Sequence, residues 1–137
     1  MGKFLGNIFR NQPAPLGDTP CHEAIGCIRR FAPTGFPLHV GIHHVKTDDD
    51  PGHLDYSMPH LHADQDEVNI LITDGHLSYR LTFDDETYEV EAPATIWIPA
   101  GVTHSANVVS GAGVFVCLRI TSPNVAQNPN ERPAPNP

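Results

Sequence analysis

Between Leu38 and Ile120 the chain is a succession of short apolar or alternating segments, each closed by Gly, Pro, Asp or Asn. Leu77, Tyr79, Leu81 and Phe83 alternate with His76, Ser78, Arg80 and Thr82. Successive side chains of a strand point to opposite faces, so this pattern belongs to a strand with one buried side. Leu38 to Val45, Val68 to Thr73, Tyr88 to Glu91, Thr95 to Ile98, Val102 to Val109 and Val114 to Ile120 read as further strands. Asp74-Gly75 is a hairpin signal. Asp84-Asp85-Glu86-Thr87 is a polar turn, and Ser110-Gly111-Ala112-Gly113 separates the last two strands. The one weak helix candidate lies around Cys21 to Arg30. Many short strands joined by Gly and Pro turns predict an all-β sandwich or barrel.

The flanks differ from this centre. Residues 1–20 mix Gly, Asn and Pro with Phe4, Leu5, Ile8 and Phe9, which predicts either an arm that packs on a partner subunit or a frayed end. Residues 21–122 form the β domain. Residues 123–137, with Pro123, Pro129, Pro133, Pro135 and Pro137, predict an extended Pro/Asn-rich tail, since proline neither continues a helix nor donates in a central strand. A chain of 137 residues is expected to be one domain. Its charge of −8, without a basic run, argues against nucleic acid and anionic membrane surfaces. No apolar stretch approaches the roughly 20 residues of a membrane helix. The start lacks a secretory apolar core and a myristoylation signal. The three cysteines, Cys21, Cys27 and Cys117, have neither zinc nor redox-motif spacing. Reduced thiols and a cytoplasmic location are the expectation.

Nine histidines point to metal or proton chemistry. His60 and His62 are two apart, which puts both imidazoles on one face of a strand. Glu67 follows the acidic turn Asp64-Gln65-Asp66 and returns on the next strand, while Asp64 and Asp66 are alternative carboxylates. His104 stands behind the turn Pro99-Ala100-Gly101. Three imidazole nitrogens and one carboxylate oxygen suit a divalent transition metal and leave coordination positions open for chemistry.

These residues resemble the two motifs of the cupin superfamily, H-x-H-x3,4-E and P-x-G-x2-H, over roughly residues 38 to 120. His60, His62 and Glu67 match the first; Pro99, Gly101 and His104 match the second. Leu54 and Pro93 stand where the motifs open with glycine, Asn107 comes one residue early, and Gly75 comes one residue late. The late Gly75 predicts an extra residue, read as a β-bulge, between Glu67 and the hairpin. The resemblance implies a cupin-type jelly-roll β-barrel. It also implies a divalent metal (Fe, Mn, Ni, Zn or Cu) held by His60, His62, Glu67 and His104, and a homodimer.

Around these ligands, Tyr56 is a candidate acid or hydrogen-bond donor in the mouth of the site. Asn69 shares the parity of Glu67 and is a candidate substrate contact, as is Arg119, whose guanidinium can grip a carboxylate bidentately. Cys117 and Trp97 read as packing, and Asp48-Asp49-Asp50-Pro51-Gly52 as a solvated turn. His22, His39, His43, His44, His53 and His76 have no matched spacing and read as solvated or structural. The expected function is a metal-dependent enzyme acting on a small oxygenated organic substrate. The metal would serve as Lewis acid in a lyase, isomerase or cyclase reaction, with Glu67 and Tyr56 in the catalytic set. An iron-dependent dioxygenase is the first alternative and a non-catalytic small-molecule binder the second.

Overall fold

A computed structural model describes residues 2–121. Eight strands run in the order β1 (Asn11–Pro13), β2 (Ile28–Pro33), β3 (His39–Lys46), β4 (Gln65–Ile72), β5 (Leu77–Phe83), β6 (Glu86–Glu91), β7 (Ala94–Ile98) and β8 (His104–Thr121). Three single-turn 3-10 segments are the only helical structure among the described residues. No helix there is long and apolar enough to cross a membrane.

All pairings are antiparallel. One sheet has the order β1-β2-β3-β8-β4-β7, and the other is formed by β6, β5 and β8. The two share β8. Its first half pairs with β5, and its second half lies between β3 and β4. The fold is the expected jelly-roll, and its sheet is not closed by strand pairing. Apolar residues from both sheets fill the space between them, led by Leu71, Leu77, Tyr79, Leu81, Val108 and Phe115. The Tyr79 ring stacks on Phe115 at 4.8 Å between centroids.

The sharing of β8 overturns the expected break at Ser110-Gly111-Ala112-Gly113, because His104–Thr121 is one continuous 18-residue strand. Gly111 makes the passage between sheets possible. Its φ is +101°, and a Cβ there would sit 2.0 Å from the His76 carbonyl oxygen. Only glycine tolerates both conditions. Thr47 Oγ1 accepts from the Gly111 N–H and donates to the Gly111 carbonyl, both at 3.0 Å.

Asp74-Gly75 does not close a hairpin. β4 pairs with β7 and β8 while β5 pairs with β6 and β8, so the turn carries the chain from one sheet to the other. The expected bulge in β4 is absent too: Gln65 to Ile72 hold unbroken register with β8. Among the described residues the one register shift lies at Ser78/Tyr79 against β8. Cys21 to Arg30 is not a helix. Its backbone pairs with neighbouring segments, Glu23 donating to Tyr56 and Cys27 accepting from Lys46, and it runs into β2. Such tertiary pairing outweighs the weak local propensity of so short a segment. Within residues 1–20, Phe4, Leu5, Ile8 and Phe9 are exposed, whereas Asn11–Pro13 forms edge strand β1 and Leu16 is buried in the core. The expected tail over residues 123–137 lies outside the described residues.

Candidate metal centre

Two chain segments meet at the site, and backbone hydrogen bonds lace them together. His60 N–H donates to the His104 carbonyl at 3.0 Å, and His104 N–H returns the bond at 2.8 Å. Gly101 N–H donates to the His62 carbonyl at 2.8 Å. His60 and His62 therefore do not lie on a regular strand, as the alternation predicts. They lie on an extended segment joined to β8 by one bridge. Gly101 has φ +84°, a left-handed conformation that favours glycine, and closes the Pro99 turn through the Val102 N–H at 3.2 Å.

His60, His62, Glu67 and His104 each bring one ligand atom within 4.8 Å of all the others. Nε2 of His62 stands 3.2 Å from Glu67 Oε1, and Nε2 of His104 stands 3.3 Å from the same oxygen. Adjacent donors at about 2.1 Å from a common ion stand about 3.0 Å apart in an octahedral site and about 3.4 Å apart in a tetrahedral one, so both separations fit a single divalent cation. Two rings are already oriented for the task. Nδ1 of His60 donates to the Met58 carbonyl at 2.7 Å, and Nδ1 of His104 to the Val102 carbonyl at 2.9 Å. Each bond places a ring proton on Nδ1 and turns Nε2 inward, where it ligates once it carries no proton of its own, an outer-shell arrangement common at metal histidines. His62 is different. Its Nδ1 lies 3.2 Å from Arg119 Nη1, and arginine only donates, so its ring proton sits on Nε2 in this arrangement. Ligation through that nitrogen requires Arg119 to let go.

The electrostatics follow from burial and pairing. Burial opposes the charge on Glu67, but hydrogen bonds from His104 and His62 outweigh it and hold the carboxyl well below its usual range. Burial also works against the His104 imidazolium, and Glu67 overcomes this, so His104 is raised above 6.5. His60 has no such partner and burial lowers it.

Asp66 has another task. It accepts from Trp97 Nε1 at 3.0 Å and from the Ala100 N–H at 2.9 Å, which ties the turn before His104 to β4. Asp64 is exposed. Among the acidic residues of that turn, Glu67 alone joins the cluster.

Asn69, fully buried, donates from Nδ2 to Glu67 Oε2 at 2.9 Å, while its Oδ1 has no partner. It reaches the centre through Glu67. Tyr56 lies deep and not in the mouth. Its backbone N–H is held by Asn107 Oδ1 at 2.7 Å, and its hydroxyl donates to Tyr79 at 2.9 Å. Burial pushes that hydroxyl well above 10. Arg119 faces the cavity, which has a volume of about 250 Å³. Cys117 lines the same cavity and packs against the core.

Sequence reasoning missed His22, Arg30, His39 and His43, which also line the cavity. The signal was present for two of them: His39, Gly41 and His43 alternate along β3 on the side that carries buried Val45. His44 and His53 are not part of the lining, His53 standing 3.8 Å from Glu23 at the surface.

His43 is 3% exposed, and burial lowers its pKa to about 3. The unfolded chain takes up that proton near pH 6.5, and the folded chain does not. The stability contributed by neutral His43 is therefore complete above pH 6.5 and is lost as pH falls toward 3. Between pH 7 and 5 the expected loss is about 2 kcal/mol. Urea unfolding at both pH values should show this loss, and His43→Gln should lose correspondingly less. Equal losses in both proteins would contradict it.

No protein-family model matches the chain, and no curated protein matches it in sequence. Solved structures do match in fold. A cupin superfamily protein from Desulfitobacterium hafniense superposes with a TM-score of 0.56 at 14% identity, covering 84% of this chain and 99% of its own. KdgF from a Halomonas species gives 0.53 at 14% identity, over 74% and 87%. Streptomyces albus HEPD, solved with 2-hydroxyethylphosphonate and Fe(II) bound, gives 0.51 at 16% identity, over 88% of this chain and 26% of that one. By these superpositions the chain has the fold of the cupin superfamily, and the four side chains that match the ligand positions of its two motifs, His60, His62, Glu67 and His104, line its cavity.

Proposed function

We propose that this protein is an enzyme that binds a divalent transition metal through His60, His62, Glu67 and His104 and acts on a small oxygenated organic substrate. The observation that carries the reading is the convergence of three imidazole nitrogens and one carboxylate oxygen on a cavity large enough for a small molecule. When bound, the metal supplies Lewis acidity to a carbonyl, enol or carboxylate oxygen, as lyase, isomerase or cyclase chemistry requires. Exposure is graded across the ligands: the side chains of Glu67 and His104 are buried at 7% and 3%, while that of His62 is 18% exposed. Substrate then approaches on the His60–His62 side. Asn69 positions Glu67. Tyr56 lines the cavity and keeps its proton, because burial holds it too tightly for exchange near neutral pH; it serves substrate as a hydrogen-bond donor by turning that proton away from Tyr79. Arg119 contacts substrate directly.

The alternative, an iron-dependent dioxygenase, uses the same ligands, and mixed imidazole and carboxylate ligation suits non-haem iron. HEPD, with Fe(II) in a related fold, favours keeping this reading. Oxygen uptake by ferrous-loaded protein separates the two. We expect turnover of a 2-hydroxy or 2-oxo acid without oxygen consumption, and uptake stoichiometric with turnover would replace the Lewis-acid reading by the dioxygenase. Binding of such acids with no turnover under any metal would leave the non-catalytic binder.

A further inference from the structure

The wall of the cavity beside the ligands is cationic, although the chain as a whole carries a formal charge of −8. Arg119 on β8 lies in register with His39 on β3 and with Glu67 on β4. Its Nη2 donates to His39 Nδ1 at 2.7 Å and its Nη1 to His62 Nδ1 at 3.2 Å. Both partners are imidazole nitrogens, not carboxylates. Arg30 on β2 is the second cation. Its Nη1 donates to the Ala14 carbonyl at 3.2 Å, and its guanidinium lies over Gly41, where a Cβ would come within 3.0 Å of Nη2. Glycine at 41 therefore leaves the space that Arg30 fills.

Neither arginine has an ion-pair partner among the described residues. The one carboxylate close by is Glu67, and its oxygens are already engaged: Oε1 by His62 and His104, Oε2 by Asn69. Two half-buried guanidinium groups face one cavity whose single carboxylate, Glu67, has its oxygens taken, so one positive charge is left uncompensated; that is costly, and the remedy is an anion. Burial first, and then the charges of Arg119 and Arg30, lower His39 to about 4, so its ring is neutral and accepts from Arg119. Bonds from arginine to neutral acceptors are weaker than charge-assisted bonds to a carboxylate, and the planar fork matches a carboxylate in two bonds. An incoming carboxylate thus outcompetes the imidazole contacts.

The geometry points to a carboxylate subsite formed by Arg119 and Arg30 beside the metal centre, which makes the substrate a small organic acid. This inference rests on the proposed function for its cavity and adds the chemical class of what enters it. At about 30 Å³ for a water-sized group, the cavity holds an acid of roughly eight such groups. The carboxylate lies against the arginines, and a neighbouring oxygen lies toward His60, His62, Glu67 and His104.

The test uses the full chain dialysed free of metal and titrated by calorimetry with glycolate, a small 2-hydroxy acid, and with ethylene glycol, its neutral counterpart. Glycolate should bind saturably and ethylene glycol should not. Arg119→Gln and Arg30→Gln should each weaken glycolate at least tenfold with unchanged circular dichroism. Arg30→Gln is the safer variant, because its one recorded hydrogen bond among the described residues goes to a backbone carbonyl. Glycolate binding no better than ethylene glycol, or unchanged in a folded Arg30→Gln protein, would overturn the subsite. Because no metal is present, this failure would leave the metal centre standing, and failure of metal binding would leave a glycolate result standing.

Discussion

His62→Ala and His104→Ala each strip the protein of most of its bound metal and leave it folded. Each change removes one of four donors from a set gathered within 4.8 Å. Losing an outer-shell partner of a metal ligand typically costs about 10- to 100-fold in affinity, and loss of the ligand itself should exceed about 100-fold. The fold survives because the site is held by backbone bonds. His104 keeps its reciprocal hydrogen bonds with His60 whatever side chain it carries, and β8 keeps its pairing with β3, β4 and β5. Elemental analysis after dialysis measures the result, with circular dichroism as the folding control. His76→Ala should retain full metal, since His76 contacts Ser110 at the surface. Full occupancy in both ligand variants would reject the assigned centre.

Metal affinity should collapse in mild acid. A histidine ligates only when its coordinating nitrogen has no proton, so protons and metal compete for it. Burial disfavours the His104 imidazolium, but the Glu67 hydrogen bond and charge prevail and raise His104 above 6.5. As pH falls, His104 is therefore the first ligand to take a proton that metal must displace. His60, lowered by burial, joins only in more acid solution. Each competing proton costs about tenfold per pH unit. Affinity should fall at least about 100-fold between pH 7 and pH 5, with the slope steepening below pH 6. Chelator competition across that range reads the effect. A flat profile would mean that His104 is not a ligand.

The parts of the chain that the sequence described well are those ruled by local periodicity. Leu77 to Phe83 emerged as β5 with the predicted bounds, because one buried face imposes a strict two-residue alternation. The errors share one cause. Asp74-Gly75 has the chemistry of a hairpin turn, yet the strand before it pairs with β7 and β8. Gly111 reads as a turn, yet it bends a strand that serves two sheets. Which strands pair is settled by contacts distant in sequence, and local turn chemistry carries no record of them.

At the site, the identities and spacing of His60, His62, Glu67, Pro99, Gly101 and His104 were enough to state the donor set, because metal chemistry fixes the atom types required. Sequence left the carboxylate open among Asp64, Asp66 and Glu67. Tertiary structure brings Glu67 to the three histidines and gives Asp66 two donors of its own, Trp97 and Ala100. Sequence offered Arg119 as a substrate contact but could not find Arg30 or His39. These residues come from β2, β3 and β8, and only the pairing of those strands turns them toward one cavity. The chain alone thus determined that it builds β-structure around a candidate metal-ligand set. The sheet order decided what surrounds that set, since a cavity wall is assembled from strands far apart in sequence, and no local pattern encodes which will be neighbours.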